Sequence, residues 1–305
     1  MTDKHTPKTT TKACSRRSFL KTAGKALPAV PLLSMQTEAG FLERFFQKNF
    51  KELSTREKDQ IVKRLEQEYE KEYGKKFTVG AEPALKGVQF AYALDLSRCI
   101  GCRKCVYGCV TENNLSIDPQ IHWIRVLEMD EEEGVNLHNA TPYYNHKKVP
   151  AEGKAYMPVQ CQHCRNAPCT KVCPVQATWL DDDGIVVIDY DWCIGCRYCI
   201  AACPYGARHF NWAKPKPKRE GINTNTHYLG NRPRMKGVVE KCTFCVQRTR
   251  KGKYPACVEA CPVGARKFGN LLDPESEVSY ILKHKRVFIL KEELNTQPKF
   301  YYFYG

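Results

Sequence analysis

Apolar positions in the first part of this 305-residue chain predict two amphipathic helices. In residues 38–50 the apolar side chains recur at helical spacing, at Phe41, Leu42, Phe45, Phe46 and Phe50. The second helix is predicted to begin at Ser54, because Glu57 completes a capping box, and to end near Gly74. Its apolar stripe consists of Ile61, Leu65, Tyr69 and Tyr73. We expect both stripes to pack on the protein's own domain, and docking to a partner is the alternative.

Further along the chain the pattern changes to that of short strands. Residues 90–95 alternate like a strand, and residues 237–240 form another short β-rich run. Between them, residues 178–180 and 185–189 have the pattern of a hairpin, with turn residues at 181–184. Each of these runs lies next to a group of cysteine residues, as a small α+β module requires, so an α+β fold is predicted.

Two long inserts, residues 111–158 and 205–236, lack strong periodicity and are predicted to be loops. The first contains an acidic run at 130–133 and the second a basic run at 214–219. Charge runs of this kind usually form a solvated surface, which is the interpretation we favour for both.

Cysteine is the residue type that changes this picture, because seventeen in one chain are too many for ordinary packing. All but Cys14 fall into four groups. Groups one to four are Cys99, Cys102, Cys105, Cys109; Cys161, Cys164, Cys169, Cys173; Cys193, Cys196, Cys199, Cys203; and Cys242, Cys245, Cys257, Cys261. Groups one and three have the C-x2-C-x2-C-x3-C spacing of bacterial two-cluster ferredoxins, and groups two to four end in Cys-Pro. We therefore predict four 4Fe-4S clusters on these cysteines.

The spacing has a physical reason. Three thiolates two residues apart on a tight loop reach three irons of one cubane, while the fourth cysteine begins a helix that points to a second cluster. Gly101 and Gly195 allow the loop to fold with backbone N–H groups directed towards the anionic cluster. The clusters are therefore expected in pairs.

Other uses of cysteine fit less well. A tetrahedral zinc site seldom has a third cysteine two residues further on, followed by Cys-Pro. Three cysteines two residues apart are poorly placed for disulfides, and no C-x-x-C here is followed by the histidine of a c-type haem site. His163 is read as a packing or hydrogen-bonding residue. No nucleophile–base pair or phosphate-binding loop is apparent, so no catalytic residue is predicted.

Hydropathy and charge argue against a membrane span and against nucleic acid. No stretch approaches the roughly 18 consecutive apolar residues of a spanning helix, since charged side chains interrupt even residues 281–290. The formal net charge is +15, of which residues 1–33 carry a large share with seven basic residues and one acidic residue. Four clusters with their thiolates, at roughly −2 each, would neutralise most of the remainder.

The N-terminus has the pattern of an export signal. Residues 15–21 read S-R-R-S-F-L-K, after a polar basic stretch and before a weakly apolar run at 26–33. This pattern is typical of the twin-arginine route, and a flexible basic tail is the alternative. The route exports folded proteins, so every cluster thiolate would already be occupied before the chain meets an oxidising compartment. We expect a peripheral protein on the periplasmic face of the cytoplasmic membrane.

Taken together, the cysteine motifs resemble those of the four-cluster iron-sulfur subunits of the DMSO reductase superfamily, of the nitrite, polysulfide, tetrathionate and sulfite-linked or alternative complex III type. The matching motifs are C-Q-H-C at 161–164, C-I-G-C-R-Y-C at 193–199, C-P-Y-G-A at 203–207 and K-C-T-F-C at 241–245. The resemblance implies two bacterial ferredoxin-like two-cluster units, one inserted in the other, with long loops and N-terminal helices. It implies the ligand sets Cys99/Cys102/Cys105/Cys261, Cys242/Cys245/Cys257/Cys109, Cys161/Cys164/Cys169/Cys203 and Cys193/Cys196/Cys199/Cys173.

The expected organisation is a signal at 1–39, an amphipathic helical segment at 40–87, a double ferredoxin-like domain at 88–272 with its inner unit at 159–212, and a docking tail at 273–305. The tail is predicted from its terminal aromatic residues, for which disorder and packing on the protein's own domain are the alternatives.

The resemblance also implies a role, the relay of single electrons. The expected partners are an integral membrane quinone-reactive subunit of the polysulfide-reductase membrane type and a catalytic molybdopterin or multihaem cytochrome subunit. A free soluble polyferredoxin and an enzyme with its own active site are the rival interpretations.

Overall fold

The computed structural model of the protein describes residues 49–305. The predicted signal and nearly all of the predicted helix at 38–50 lie outside these residues. Residues Phe50–Glu52, where that prediction ends, form one turn of 3₁₀-helix, and the Phe50 ring stacks on Tyr228 at 4.5 Å between ring centroids.

The second predicted helix is confirmed as α1, Thr55–Tyr73. The side chain of Ser54 accepts the backbone N–H of Glu57, whose carboxylate accepts the backbone N–H of Ser54 at 2.8 Å. The helix ends at Gly74, which has a φ of 68°. Its buried side chains are Ile61, Leu65 and Tyr69, and they belong to the main core. The apolar stripe therefore packs on the protein's own domain.

The central sheet has four strands: β2, Phe90–Asp95; β10, Arg266–Asn270; β11, Val287–Phe288; and β12, Phe300–Phe303. Their order across the sheet is β10-β2-β12-β11. Strand β2 pairs antiparallel with β10 and parallel with β12. All six residues of β2 are buried, because Ala91 and Ala93 pack beside helix α7, Glu277–His284, while Tyr92 and Leu94 lie in the main core.

This sheet includes the aromatic run of the predicted docking tail. Phe300 and Tyr302 are fully buried, and the Phe300 ring stacks on Tyr92 at 4.7 Å between centroids. Strand β12 places these two rings in the core, where large apolar side chains stabilise the fold by being removed from water, whereas half of the Tyr304 side chain is exposed. The described residues, 49–305, belong to one compact unit.

The remaining strands make two-stranded sheets around this core. They are β1, Thr78–Gly80, with β8, Asn225–His227; β3, Arg125–Asp130, with β4, Lys154–Val159; β5, Thr178–Leu180, with β6, Val186–Ile188; and β7, His209–Phe210, with β9, Val239–Glu240. The predicted hairpin is confirmed as β5–β6, and the strand at 237–240 as β9. The β3–β4 ladder corrects the expectation that residues 111–158 are all loop.

A 3₁₀ turn at Glu292–Leu294 and five short α-helices complete the description. The α-helices are α2, Lys104–Glu112; α3, Pro168–Lys171; α4, Tyr198–Ala201; α5, Val246–Thr249; and α6, Ala256–Glu259. Each carries or adjoins predicted cluster cysteines. Within residues 49–305, no helix has the length and apolar character needed to cross a membrane.

Candidate metal centre

The four cysteine groups occupy equivalent places in the fold. Each begins in the loop after a strand and continues into a short helix: β2 into α2, β4 into α3, β6 into α4, and β9 into α5 and α6. The strands fix the start of each loop, and the helices direct the later cysteines inward.

The loops of groups one and three repeat one backbone conformation. Gly101 and Gly195 both have a φ of 71°, and Arg103 and Arg197 begin their helices at 56° and 65°. A β-carbon at residue 195 would lie 2.1 Å from the carbonyl oxygen of Gly237. Glycine is required here for both its dihedral freedom and its lack of a side chain.

Two sets of four cysteines each line a cavity. We call site 1 the set Cys99, Cys102, Cys105 and Cys261, and site 4 the set Cys173, Cys193, Cys196 and Cys199. Including its mouth, the space inside each is about 340 Å³. Each set combines cysteines from two groups, one with four and two with three.

The other two sets are identified from the thiols that raise the pKa of one cysteine in each set. Burial raises the pKa of Cys109, and the thiols of Cys245, Cys242 and Cys257 raise it further; these four form site 2. Burial raises the pKa of Cys164 to about 12, with added contributions from Cys161, Cys169 and Cys203; these four form site 3. Two of the ligand sets that the resemblance implies line the cavities of sites 1 and 4, and the thiols that act on Cys109 and Cys164 are those of the other two sets.

The sites follow one another in the order 1, 2, 3, 4. The thiol of Cys257 in site 2 lies close enough to Cys105 in site 1 to raise the pKa of Cys105. Cys161 of site 3 is a neighbour of Cys242 in site 2, and Cys169 of site 3 is a neighbour of Cys199 in site 4. All four cysteines of site 2 are buried, whereas sites 1 and 4 each include three partly exposed cysteines.

Polar side chains reach the thiols in the interior. The Asn113 amide lies 3.5 Å from Cys109 Sγ and 3.6 Å from Cys245 Sγ. The Tyr92 hydroxyl is 3.3 Å from Cys257 Sγ, and Arg208 donates to Cys169 Sγ at 3.0 Å. Hydrogen bonds to sulfur are one of the means by which proteins adjust cluster potentials.

Two buried guanidinium groups test whether anionic clusters fit these sites. Nη1 of Arg208 and Nη2 of Arg266 are buried and have no hydrogen-bond partner among the described residues. An unpaired buried donor on a cation is costly, and a negatively charged group beside it removes that cost. The donor set, four thiols around a space, and these two cations both fit a 4Fe-4S cluster.

A single metal ion fits less well. Across residues 49–305, no group of three or more His, Cys, Asp or Glu side chains has the geometry to hold one ion. The cysteines surround spaces instead, which suits a multinuclear cluster.

His163 lies between sites without joining one. Its Nδ1 accepts the backbone N–H of Val186 at 3.1 Å, and its ring stacks on Phe244 at 3.7 Å between centroids. Burial, aided by Lys241, holds the pKa of His163 well below its usual range. It is a neutral packing and hydrogen-bonding residue, as the sequence predicts.

Sequence reasoning missed the cations beside the sulfur atoms. Arg208 and Arg266 are each the last residue of a repeated C-P-x-G-A-R motif, at 203–208 and 261–266. Lys241, also missed, immediately precedes Cys242 and donates to the carbonyl oxygens of Val186 and Cys242. The repeat is a signal that would have identified both arginines.

Two family models match the chain, each described as a 4Fe-4S dicluster domain. One covers residues 153–220, and the other matches twice, at 98–177 and 192–265. The first match includes groups two and three, whose cysteines combine in sites 3 and 4.

Several curated proteins are similar over most of their length. One subunit of selenate reductase, from Mesobacillus selenatarsenatis, is 37% identical over 96% of this chain and 98% of its own. The iron-sulfur cluster-binding subunit of menaquinone reductase from Nitratidesulfovibrio vulgaris is 37% identical over 70% of this chain and 88% of its own. The iron-sulfur subunit of arsenate respiratory reductase from Shewanella sp. is 36% identical over 70% and 96%.

Proposed function

The chain belongs to the iron-sulfur subunits of the DMSO reductase superfamily, and on this premise we propose that it relays single electrons through four 4Fe-4S clusters held at sites 1 to 4. The observation that carries the proposal is the unbroken succession of four sets of four cysteines. Clusters bound there supply reversible one-electron chemistry.

The chain's own residues hold and insulate these positions. Four thiolates bind at each site, and the buried aromatic and amide side chains around sites 2 and 3 exclude water. Arg208 and Arg266 place positive charge beside the sulfur atoms, where it favours the reduced state. The chain is proposed to have no substrate chemistry of its own.

The two ends of the succession are where we propose that partners exchange electrons. Beside site 4, the exposed fractions of Ile194, Tyr198 and Trp212 are 63%, 65% and 66%. Exposed apolar and aromatic side chains of this size are typical of interfaces. The proposed partners are an integral membrane quinone-reactive subunit at one end and a catalytic molybdopterin or cytochrome subunit at the other, as the names of relatives such as menaquinone reductase and selenate reductase suggest.

The proposed location is the periplasmic face of the cytoplasmic membrane. The support is the S-R-R-S-F-L-K sequence at 15–21, which lies outside the described residues. The protein would be peripheral and attached through its membrane partner.

Cofactor content tests the central part of this proposal. Protein purified without oxygen should contain about sixteen irons and about sixteen acid-labile sulfides per chain. Zinc in place of iron, or about eight irons, would contradict the proposal of four clusters.

Partner content tests the remainder. Affinity-tagged chain expressed in its native host should co-purify with a quinone-reactive membrane subunit from detergent-solubilised membranes. Recovery of fully loaded protein from the soluble fraction alone would support a free polyferredoxin instead. Substrate turnover by the isolated chain would support an enzyme.

A further inference from the structure

The buried arginines of the protein fall into two classes. Arg232, Arg234 and Arg250 each form an ion pair with a carboxylate: Asp191 at 3.1 Å, Glu240 at 2.5 Å, and Asp181 and Asp183 at 2.8 Å. No such pair is found for Arg208 or Arg266 within residues 49–305. Their exposed fractions are only 4% and 3%.

Each of these two arginines lies where neighbouring sites meet. Arg208 donates to Cys169 of site 3 and lines the cavity of site 4. Arg266 lines the cavity of site 1 and donates to the Tyr92 hydroxyl, which lies 3.3 Å from Cys257 Sγ of site 2. Arg208 is held by the Thr178 hydroxyl at 3.0 Å, and Arg266 by Tyr92 at 3.1 Å and Gln160 at 2.9 Å.

A buried guanidinium is always charged, so it needs a nearby negative charge. The hydrogen-bond partners of Arg208 and Arg266 are neutral, apart from thiols that become thiolates when they bind iron. The repeated C-P-x-G-A-R motif brings each arginine to this position five residues after the last cysteine of its group. The position is therefore part of the internal repeat.

We propose that Arg208 and Arg266 are paired potential-setting residues, each of which raises the reduction potentials of the two clusters beside it. The inference rests on the proposed function. Reduction adds one negative charge to a cluster, and a fixed positive charge within a dry interior stabilises that state.

The test is a redox titration of the full chain followed by electron paramagnetic resonance. Arg208→Gln should lower two of the four midpoint potentials, each by at least a tenfold change in the one-electron equilibrium constant, about 59 mV. Arg266→Gln should lower the other two by a similar amount. Each variant therefore serves as the control for the other.

Further variants separate charge from structure. Arg208→Lys and Arg266→Lys should return the potentials most of the way to the wild-type values. Arg250→Gln, which removes a buried arginine that is already paired, should shift the potentials less than either glutamine variant. If a glutamine variant loses iron, the unbranched Arg208→Met or Arg266→Met replaces it.

The outcomes are distinct. Unchanged potentials in a fully loaded Gln or Met variant, or the same two potentials shifted by both arginines, would overturn the inference. If the neutral variants fail to bind iron but the lysine variants bind it, the result supports a role for the charge. If the lysine variants also fail to bind iron, the inference is overturned. Wild-type protein without about sixteen irons would instead contradict the proposed function.

Discussion

The ring of Tyr156 lies directly against Gly101, so that a β-carbon at residue 101 would be 2.4 Å from Cδ1 of the tyrosine. Gly101 is in the first cysteine loop and Tyr156 is in strand β4, which leads to the second. The contact ties the loop of site 1 to the strand that precedes site 3.

Substitution at this contact should disturb site 1. Gly101→Ala is expected to lower the iron content and the melting temperature, because it adds a collision with a buried ring to the cost of a φ of 71°. Gly87→Ala is the matched control, since Gly87 has a φ of 70° with no atom near its missing β-carbon. Iron analysis and thermal unfolding of both variants check the prediction, and equal effects would contradict it.

Loss of one cysteine should remove one cluster. Cys196→Ser is expected to reduce the iron content from about sixteen to about twelve or fewer per chain, because site 4 loses a thiolate and cluster binding is coupled to folding. Cys14→Ser, in the predicted signal, should leave the iron content unchanged. Iron and sulfide analysis of both variants measures the effect. An unchanged iron content in Cys196→Ser, or a lower one in Cys14→Ser, would contradict the prediction.

The buried aromatic residues of β12 should matter for stability. Phe300→Ala is expected to lower the free energy of unfolding by about 3–5 kcal/mol, the usual cost of removing a buried phenylalanine side chain. Tyr304→Ala should cost less than about 0.5 kcal/mol, because half of that side chain is exposed. Denaturant unfolding without oxygen measures both. A change of less than about 1 kcal/mol for Phe300→Ala would contradict this prediction and would favour the docking role predicted for the tail.

His227 should make stability depend on pH. Its Nε2 donates to the carbonyl oxygen of Glu82, its Nδ1 accepts the N–H of Leu229, and burial with nearby Arg250 holds its pKa below the usual range. The folded protein therefore binds fewer protons than the unfolded chain below about pH 6.5. The contribution of His227 to the free energy of unfolding is expected to be fully present above that pH. As the pH decreases below it, this contribution should fall by up to about 1.4 kcal/mol per pH unit.

Comparison with two variants isolates this contribution. Between pH 7.5 and 5.5, His227→Gln should lose less stability than the wild type, whereas His138→Gln, at an exposed position, should behave like the wild type. Parallel slopes for wild type and His227→Gln in urea unfolding would contradict the prediction.

Export should depend on the paired arginines of the signal. Replacing Arg16 and Arg17 together by lysine is expected to leave cluster-loaded protein in the cytoplasm, because a receptor reads the pair. Replacement of Lys8 and Lys12 by arginine, which keeps the charge outside the motif, should leave export unchanged. Cell fractionation followed by immunoblotting measures both, and normal export of the first variant would contradict the proposed signal.

The sequence predicts local features well and distant contacts poorly. The capping box of Ser54 and Glu57, the β5–β6 hairpin and the cysteine spacing all depend on residues that are close in the chain, and each is found in the structure. Strand β3 is not predicted, because its exposed and partly buried residues follow no simple alternation. The burial of Phe300 is not predicted, because it depends on Tyr92, more than two hundred residues earlier.

The parallel pairing of β2 with β12 also determines when the protein can finish folding. At about 5–20 residues per second, residue 303 is added roughly 10–40 s after strand β2 has been made. Throughout that interval β2, whose six residues are all buried in the finished protein, lacks its partner β12. The nascent chain therefore presents an apolar strand edge until residues 300–303 have been made. In this way the chain order makes closure of the central sheet a late step of folding, since β12 is made after the other described strands.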